Sequence, residues 1–119
     1  MIWNKKLDLE KLNIFNKDTL IEHIGIELTE VLDDSLIGVM PVDSKTVQPF
    51  RMLHGGASCV LAETLGSIAS NSCIDTSKEF AVGQSINANH IGSAKSGLVK
   101  GVCKPIHIGK SSHVYFLDL

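Results

Sequence analysis

The sequence is poor in cysteine, and the few it has are not spaced to act together. Cys59, Cys73 and Cys103 are odd in number, far apart and outside any CxxC motif. That spacing excludes a disulfide framework and the usual zinc patterns, and it fits a reducing compartment. The three read as small buried hydrophobes. No apolar run approaches the ~20 residues of a membrane span. The N-terminal MIWNKKLDLEKLN scatters charges where a signal peptide carries an apolar stretch. The expectation is a cytoplasmic protein that does not enter the membrane. Neither sign of charge dominates: eleven Lys and Arg stand against thirteen Asp and Glu, a net charge of -2. This balance argues against a nucleic-acid or general polyanion binder. There is no GxSxG elbow and no Ser-His-Asp order, which removes the serine hydrolases.

What is present is a length and a pattern. The 119 residues predict one domain over 1–119. A chain this short buries only about 65% of its extended surface, so pairing with a second copy would help it. LDLEKLNIF, with Asp8 early, predicts a short helix. A second helical turn follows, capped by Asn16 or Asp18 and ending near Gly25. IELTEVLDDSLIGVMPV alternates on both sides of DDS and predicts a hairpin. A loop with Pro49 leads to a long helix over roughly 56–73. FAVGQSINANHIGSA alternates again and predicts a strand, LVKGVCKPIHIG a further one, and SSHVYFLDL a last. Consecutive strands with short turns imply an antiparallel sheet, and one long helix must pack its apolar stripe on it. The fold class is therefore α+β, a curved sheet around a central helix.

The stretch LHGGASCVLAETLGS carries the chemistry. From Ala57 onward, Val60, Leu61, Leu65 and Ile68 recur at helical spacing, yet the stretch opens on His54, Gly55 and Gly56 and carries one acid, Glu63. The first turn of a helix has free N–H groups and a partial positive charge, and glycine lets a ligand come close. Gly55 is thus either a plain helix start or a site for a developing oxyanion, with His54 as an added donor. Glu63 is either a solvent-facing residue or the acid of a site. It lies eight residues past Gly55, about 12 Å along a helix axis, too far to act on a carbonyl held at Gly55. Two copies of the helix, antiparallel across a dimer axis, would bring each Glu63 to the partner's helix start. Ser67, four residues on, shares the face of Glu63. Gln48, held toward extended geometry by Pro49, offers a side-chain amide.

QPFRMLHGGASCVLAETLGS, with MIW, MPVDSKT, INANH and GVCKPIHIG, resembles the hotdog-fold acyl-CoA thioesterases. Within them the likeness is greatest to the branch acting on aroyl-CoA, including the 1,4-dihydroxy-2-naphthoyl-CoA of menaquinone synthesis. The resemblance spans nearly the whole chain. It implies a hotdog fold in a homodimer or dimer of dimers, with acyl-CoA as substrate and no cofactor or metal. It implies Glu63 as nucleophile or general base and the Gly55 N–H as oxyanion donor. It further implies Gln48 and His54 positioning the carbonyl and Ser67 supporting the attack. Coenzyme A is expected at Gly83, at His90, Ile91, Gly92 and Ser93, and at His107, Ile108, Gly109, Lys110, Ser111 and Ser112. Two departures stand out. Gly92 sits where relatives carry arginine, with Lys95 as a partial replacement, and the family's final strand is not found before Leu119. The second reading is a non-catalytic or truncated hotdog subunit that binds acyl-CoA or a partner chain.

Overall fold

A computed structural model describes residues 1–88 and 92–118. The elements run α1 (Leu9–Phe15), α2 (Leu20–His23), β1 (Glu27–Val31), β2 (Leu36–Pro41), α3 (Gly55–Ser72), β3 (Leu98–Ile108) and β4 (His113–Asp118). The four strands form one antiparallel sheet in the order β1-β2-β3-β4. No described helix is long and apolar enough to cross a membrane.

Local signals set the elements. Asp8 caps α1 by accepting from the N–H groups of Glu10 and Lys11. Thr19 caps α2, so the cap expected at Asn16 or Asp18 falls elsewhere. Asn16 closes α1 at its C-terminal end, and Asp18 takes a left-handed φ of 61° between the helices. The turn between β1 and β2 closes through Leu32 N–H to the Ser35 carbonyl, 2.9 Å. The N-terminal segment pins that turn: Trp3 Nε1 donates to the Leu32 carbonyl at 2.7 Å, and Ile2 N–H to the Asp33 carbonyl at 2.9 Å. Asn4 N–H then reaches the carbonyl of Ser72 at the end of α3.

The core lies between the sheet and α3. Leu61, Leu65 and Ala69 of the helix, all at most 1% exposed, join Leu28, Leu36, Met40 and Cys103 of the strands. Their four-residue spacing is the apolar stripe of a helix. Gly38 on β2 lets the helix close in, since a Cβ there would stand 3.0 Å from Leu65 Cδ2. Burial pushes the Cys103 thiol up to about 12, so this cysteine is part of the packing.

One expected element is different. Among the described residues 80–88 there is no strand, although Phe80, Val82 and Ile86 alternate as a strand would and are exposed. Alternation records a fit to a pleated surface, but a strand also needs a ladder partner, and none of the four strands pairs with this segment. The order is therefore strand–strand–helix–strand–strand among the described residues. The sequence hairpins at 26–42 and 98–118 match β1-β2 and β3-β4 closely.

The free edge of β1 is covered by a side chain. Asn13 of α1 donates from Nδ2 to the Leu28 carbonyl and accepts at Oδ1 from the Leu28 N–H, both at 2.9 Å. The carboxamide supplies the acceptor and donor that a fifth strand would have supplied. Asn13→Ala removes two hydrogen bonds worth about 1 kcal/mol each. The variant is expected to unfold at lower denaturant by roughly 2 kcal/mol, with an unchanged denaturant slope; an unfolding free energy equal to the parent's would refute this role.

Candidate active site

The start of α3 is built by a small hairpin. Val47 and Leu53 form an antiparallel bridge, and the chain turns between them through Gln48 and Arg51, whose φ is 63°. Gln48 N–H donates to the Met52 carbonyl and Arg51 N–H to the Gln48 carbonyl, both 2.8 Å. The side chain of Gln48 also belongs to this turn: its Oε1 accepts from the Phe50 N–H. That fixes the carboxamide orientation and leaves the NH₂ group as the outward donor. The buried Thr46 anchors the base of the loop, donating to the Pro41 carbonyl at 2.7 Å. Its own carbonyl accepts from the His54 N–H at 2.8 Å.

His54 is the N-cap of α3. Its Nδ1 accepts from the Gly56 N–H at 2.7 Å, a cap usually supplied by Ser, Thr, Asp or Asn. Accepting at Nδ1 puts the ring proton of the neutral imidazole on Nε2, which remains a donor. Its close approach explains Gly56, where a Cβ would stand 2.9 Å from the ring. The Ala57 and Ser58 N–H groups turn back to the His54 carbonyl, and the Gly56 N–H is taken by the ring. Among the described residues the Gly55 N–H meets no acceptor. Three donors are thus left on the hairpin and the helix start that it leads into: Gly55 N–H, His54 Nε2 and the Gln48 amide. They can bind a carbonyl oxygen and hold the negative charge it gains on attack.

Glu63 is exposed on the middle of the same unbroken helix. Its carboxylate lies against the backbone of Gly83, where a Cβ would collide with Glu63 Oε1. Gly83, expected among the coenzyme A contacts, is therefore a neighbour of the acid. Ser67 is half-buried one turn on, and its carbonyl accepts from Asn71 Nδ2 at 3.0 Å; no bond from its hydroxyl to Glu63 is formed. Asn71 belongs to no sequence motif. It sits at the end of a four-residue series, Glu63, Ser67, Asn71, the one pattern that could have found it.

The structure places His54 and Gly55 at the helix start with Gln48 in the hairpin before it, and Glu63 against Gly83 with Ser67 one turn further along the helix. It does not join the two groups within one chain, since the straight helix keeps Gly55 and Glu63 about 12 Å apart along its axis. Gly92 and Ser93 are exposed in the loop before β3. His107 and Ile108 end β3, and Gly109, Lys110, Ser111 and Ser112 form the β3–β4 turn. That turn is closed by Gly109 N–H to the Ser112 carbonyl at 2.9 Å. The His107 ring packs over Gly109, in space that a Cβ there would enter. His90 and Ile91 lie outside the described residues. His113, given no role from sequence, contacts Ser70 Oγ through Nδ1 at 2.6 Å and ties β4 to α3.

Comparison with known proteins agrees with the fold. Residues 50–119 match the family model of the thioesterase superfamily. The chain is 45% identical over 119 residues to a 1,4-dihydroxy-2-naphthoyl-CoA hydrolase of Escherichia coli, covering 100% of this chain and 87% of that one. It is 47% identical over 115 residues to the proofreading thioesterase EntH of Cronobacter turicensis, covering 97% and 83%. Among solved structures, a mutant thioesterase from Pseudomonas aeruginosa superposes with a TM-score of 0.97 at 46% identity, covering 98% of this chain and 84% of that one. A thioesterase from Haemophilus influenzae gives 0.94 at 41% identity, covering 99% and 82%. A long helix backed by an antiparallel sheet, with a glycine-led helix start and an acid along its exposed face, is here the frame of a hotdog thioester hydrolase, and the chain belongs to the thioesterase superfamily.

Proposed function

We propose that the protein hydrolyses an aromatic or medium-sized acyl-CoA to the free acid and coenzyme A, with 1,4-dihydroxy-2-naphthoyl-CoA the first substrate to try. It would work in the cytoplasm, without metal or cofactor, coenzyme A entering only as part of the substrate. The observation that carries the reading is the pair of unlike groups on one helix: an N–H at Gly55 that meets no acceptor among the described residues and an exposed carboxylate at Glu63. The aromatic substrate class is supported by the kinship to the Escherichia coli hydrolase.

The thioester carbonyl oxygen is held by the Gly55 N–H, with the Gln48 amide and His54 Nε2 orienting it. Glu63 either takes a proton from water as the water oxygen attacks the carbonyl carbon, or attacks that carbon itself and is released by water. In both, the C–S bond breaks, the electron pair leaves with sulfur, and coenzyme A departs as the thiol after protonation. Ser67 supports the attacking group. The phosphates of coenzyme A meet the exposed loops, with Lys110, Ser111 and Ser112 at one and Gly92 and Ser93 at the other.

Because Gly55 and Glu63 stand about 12 Å apart on one helix, the reading requires two chains. A second copy, its α3 antiparallel to the first, presents Gly55 to each Glu63. Phe80, Val82 and Ile86, exposed on the segment beside Glu63, supply apolar surface for that contact. The assembly is a homodimer or a dimer of dimers with shared sites.

Glu63→Gln keeps the size of the side chain but neither attacks nor takes a proton. It is expected to lower kcat about 10²-fold or more, with the fold intact by circular dichroism. More than about a tenth of parental kcat in a thiol-release assay would exclude Glu63 from the chemistry. Mixing E63Q with Gly55→Val, each inactive alone, tests the shared site. Heterodimers hold one site with both groups intact, so random exchange should return about a quarter of parental activity. No recovery after exchange verified by mass would leave each site within a single chain.

A further inference from the structure

We propose that Asn71 is a positioning residue of this hydrolase: it clamps the chain at Ala81 onto α3 and so sets the wall against which Glu63 lies. The inference rests on the reading of Glu63 as the catalytic carboxylate.

Asn71 uses its whole carboxamide on backbone. Oδ1 accepts from the Ala81 N–H at 2.7 Å, and Nδ2 donates to the Ala81 carbonyl and to the Ser67 carbonyl, both at 3.0 Å. Both Nδ2 hydrogens are therefore committed. The segment after the helix has the alternation of a strand without a described strand partner, so this side chain supplies the pairing that a ladder would. From Ala81 at Asn71, the chain runs back along the helix and reaches Glu63 at Gly83. The absence of a side chain at Gly83 leaves the space that the Glu63 carboxylate occupies.

Glu63, Ser67 and Asn71 thus form one line at four-residue spacing. The far end of the line holds the backbone that confines the near end. Glutamate has several rotatable bonds, and an exposed one samples many rotamers. A wall at Gly83 removes those that point toward it, leaving the carboxylate fewer positions from which to act. Misplacing a reacting group by about 1 Å can cost about 10²-fold in rate. Asn13 is the natural control. It makes the same paired bonds to the backbone of Leu28, in a part of the fold remote in sequence from α3.

The test compares Asn71→Ala, Gly83→Ala, the double variant and Asn13→Ala for kcat at saturating acyl-CoA, for KM and for melting temperature. Asn71→Ala and Gly83→Ala should each lower kcat at least fivefold. The double should fall no more than about twofold below the worse single, because both act through one contact. Asn13→Ala should melt lower with kcat unchanged. Hydrogen exchange at the Ala81 amide should quicken in Asn71→Ala and not in Asn13→Ala. If the alanine variant does not fold, Asn71→Asp replaces it, since it keeps the size and the acceptor but loses both donors. A kcat for the Asn71 variant within twofold of the parent overturns the proposal, as does a loss in the double equal to the product of the singles. E63Q in the same assay separates the two ideas. Full activity there defeats the reading of Glu63, whereas an inactive E63Q beside a fully active Asn71 variant defeats the role of Asn71 alone.

Discussion

The rotation of α3 about its own axis decides the rest. Leu61, Leu65 and Ala69 are sealed against Leu28, Leu36, Met40 and Cys103, and each such side chain gains about 1.5–3 kcal/mol by leaving water. No other rotation of the helix keeps all three buried. Two residues along a helix is about 200° around it, so Glu63, Ser67 and Asn71 must point away from the sheet. The carboxylate therefore owes its outward direction to leucines that are sealed in the core. Glycine at position 38 lets this packing close, and the Asn4 bond to the Ser72 carbonyl ties the end of the same helix to the N-terminal segment.

Two asparagines solve the same difficulty in different places. Extended backbone carries a donor and an acceptor that need partners wherever water is excluded. At β1 the partner is Asn13, and after α3 it is Asn71. The first closes a sheet edge. The second ties a segment without a ladder partner to the helix that bears the acid. The difference lies in what stands two residues away: Glu30 at a bulged edge in one case, Gly83 against Glu63 in the other.

Much of the frame was legible from spacing alone. The period of Leu61, Leu65 and Ile68 gave the helix to within a residue at each end, and the alternation around DDS gave the first hairpin. Two features were hidden for physical reasons. Alternation at Phe80, Val82 and Ile86 reports a face, but whether the face finds a ladder partner depends on strands distant in sequence. Asn71 belongs to no motif, and its importance comes from a segment ten residues on that folds back along the helix. The axial separation of Gly55 and Glu63 could be read in advance because both fall within one helix, and a helix converts residue count into length without reference to anything else.

That conversion also limits how the chain can change. A substitution in α3 alters one face at one level. One residue inserted between Gly55 and Leu61 would leave Glu63 in phase with the buried Leu61, Leu65 and Ala69 but turn the helix start by about 100° and shift it about 1.5 Å relative to the acid. A helix that keeps an apolar stripe and a reactive stripe in phase tolerates changes of kind far better than changes of number. The β3–β4 turn at 109–112, closed through Gly109 N–H to the Ser112 carbonyl, has no such phase to keep. Drift in length, and with it any adjustment to a larger or smaller acyl-CoA, has room in the loops and almost none along the helix.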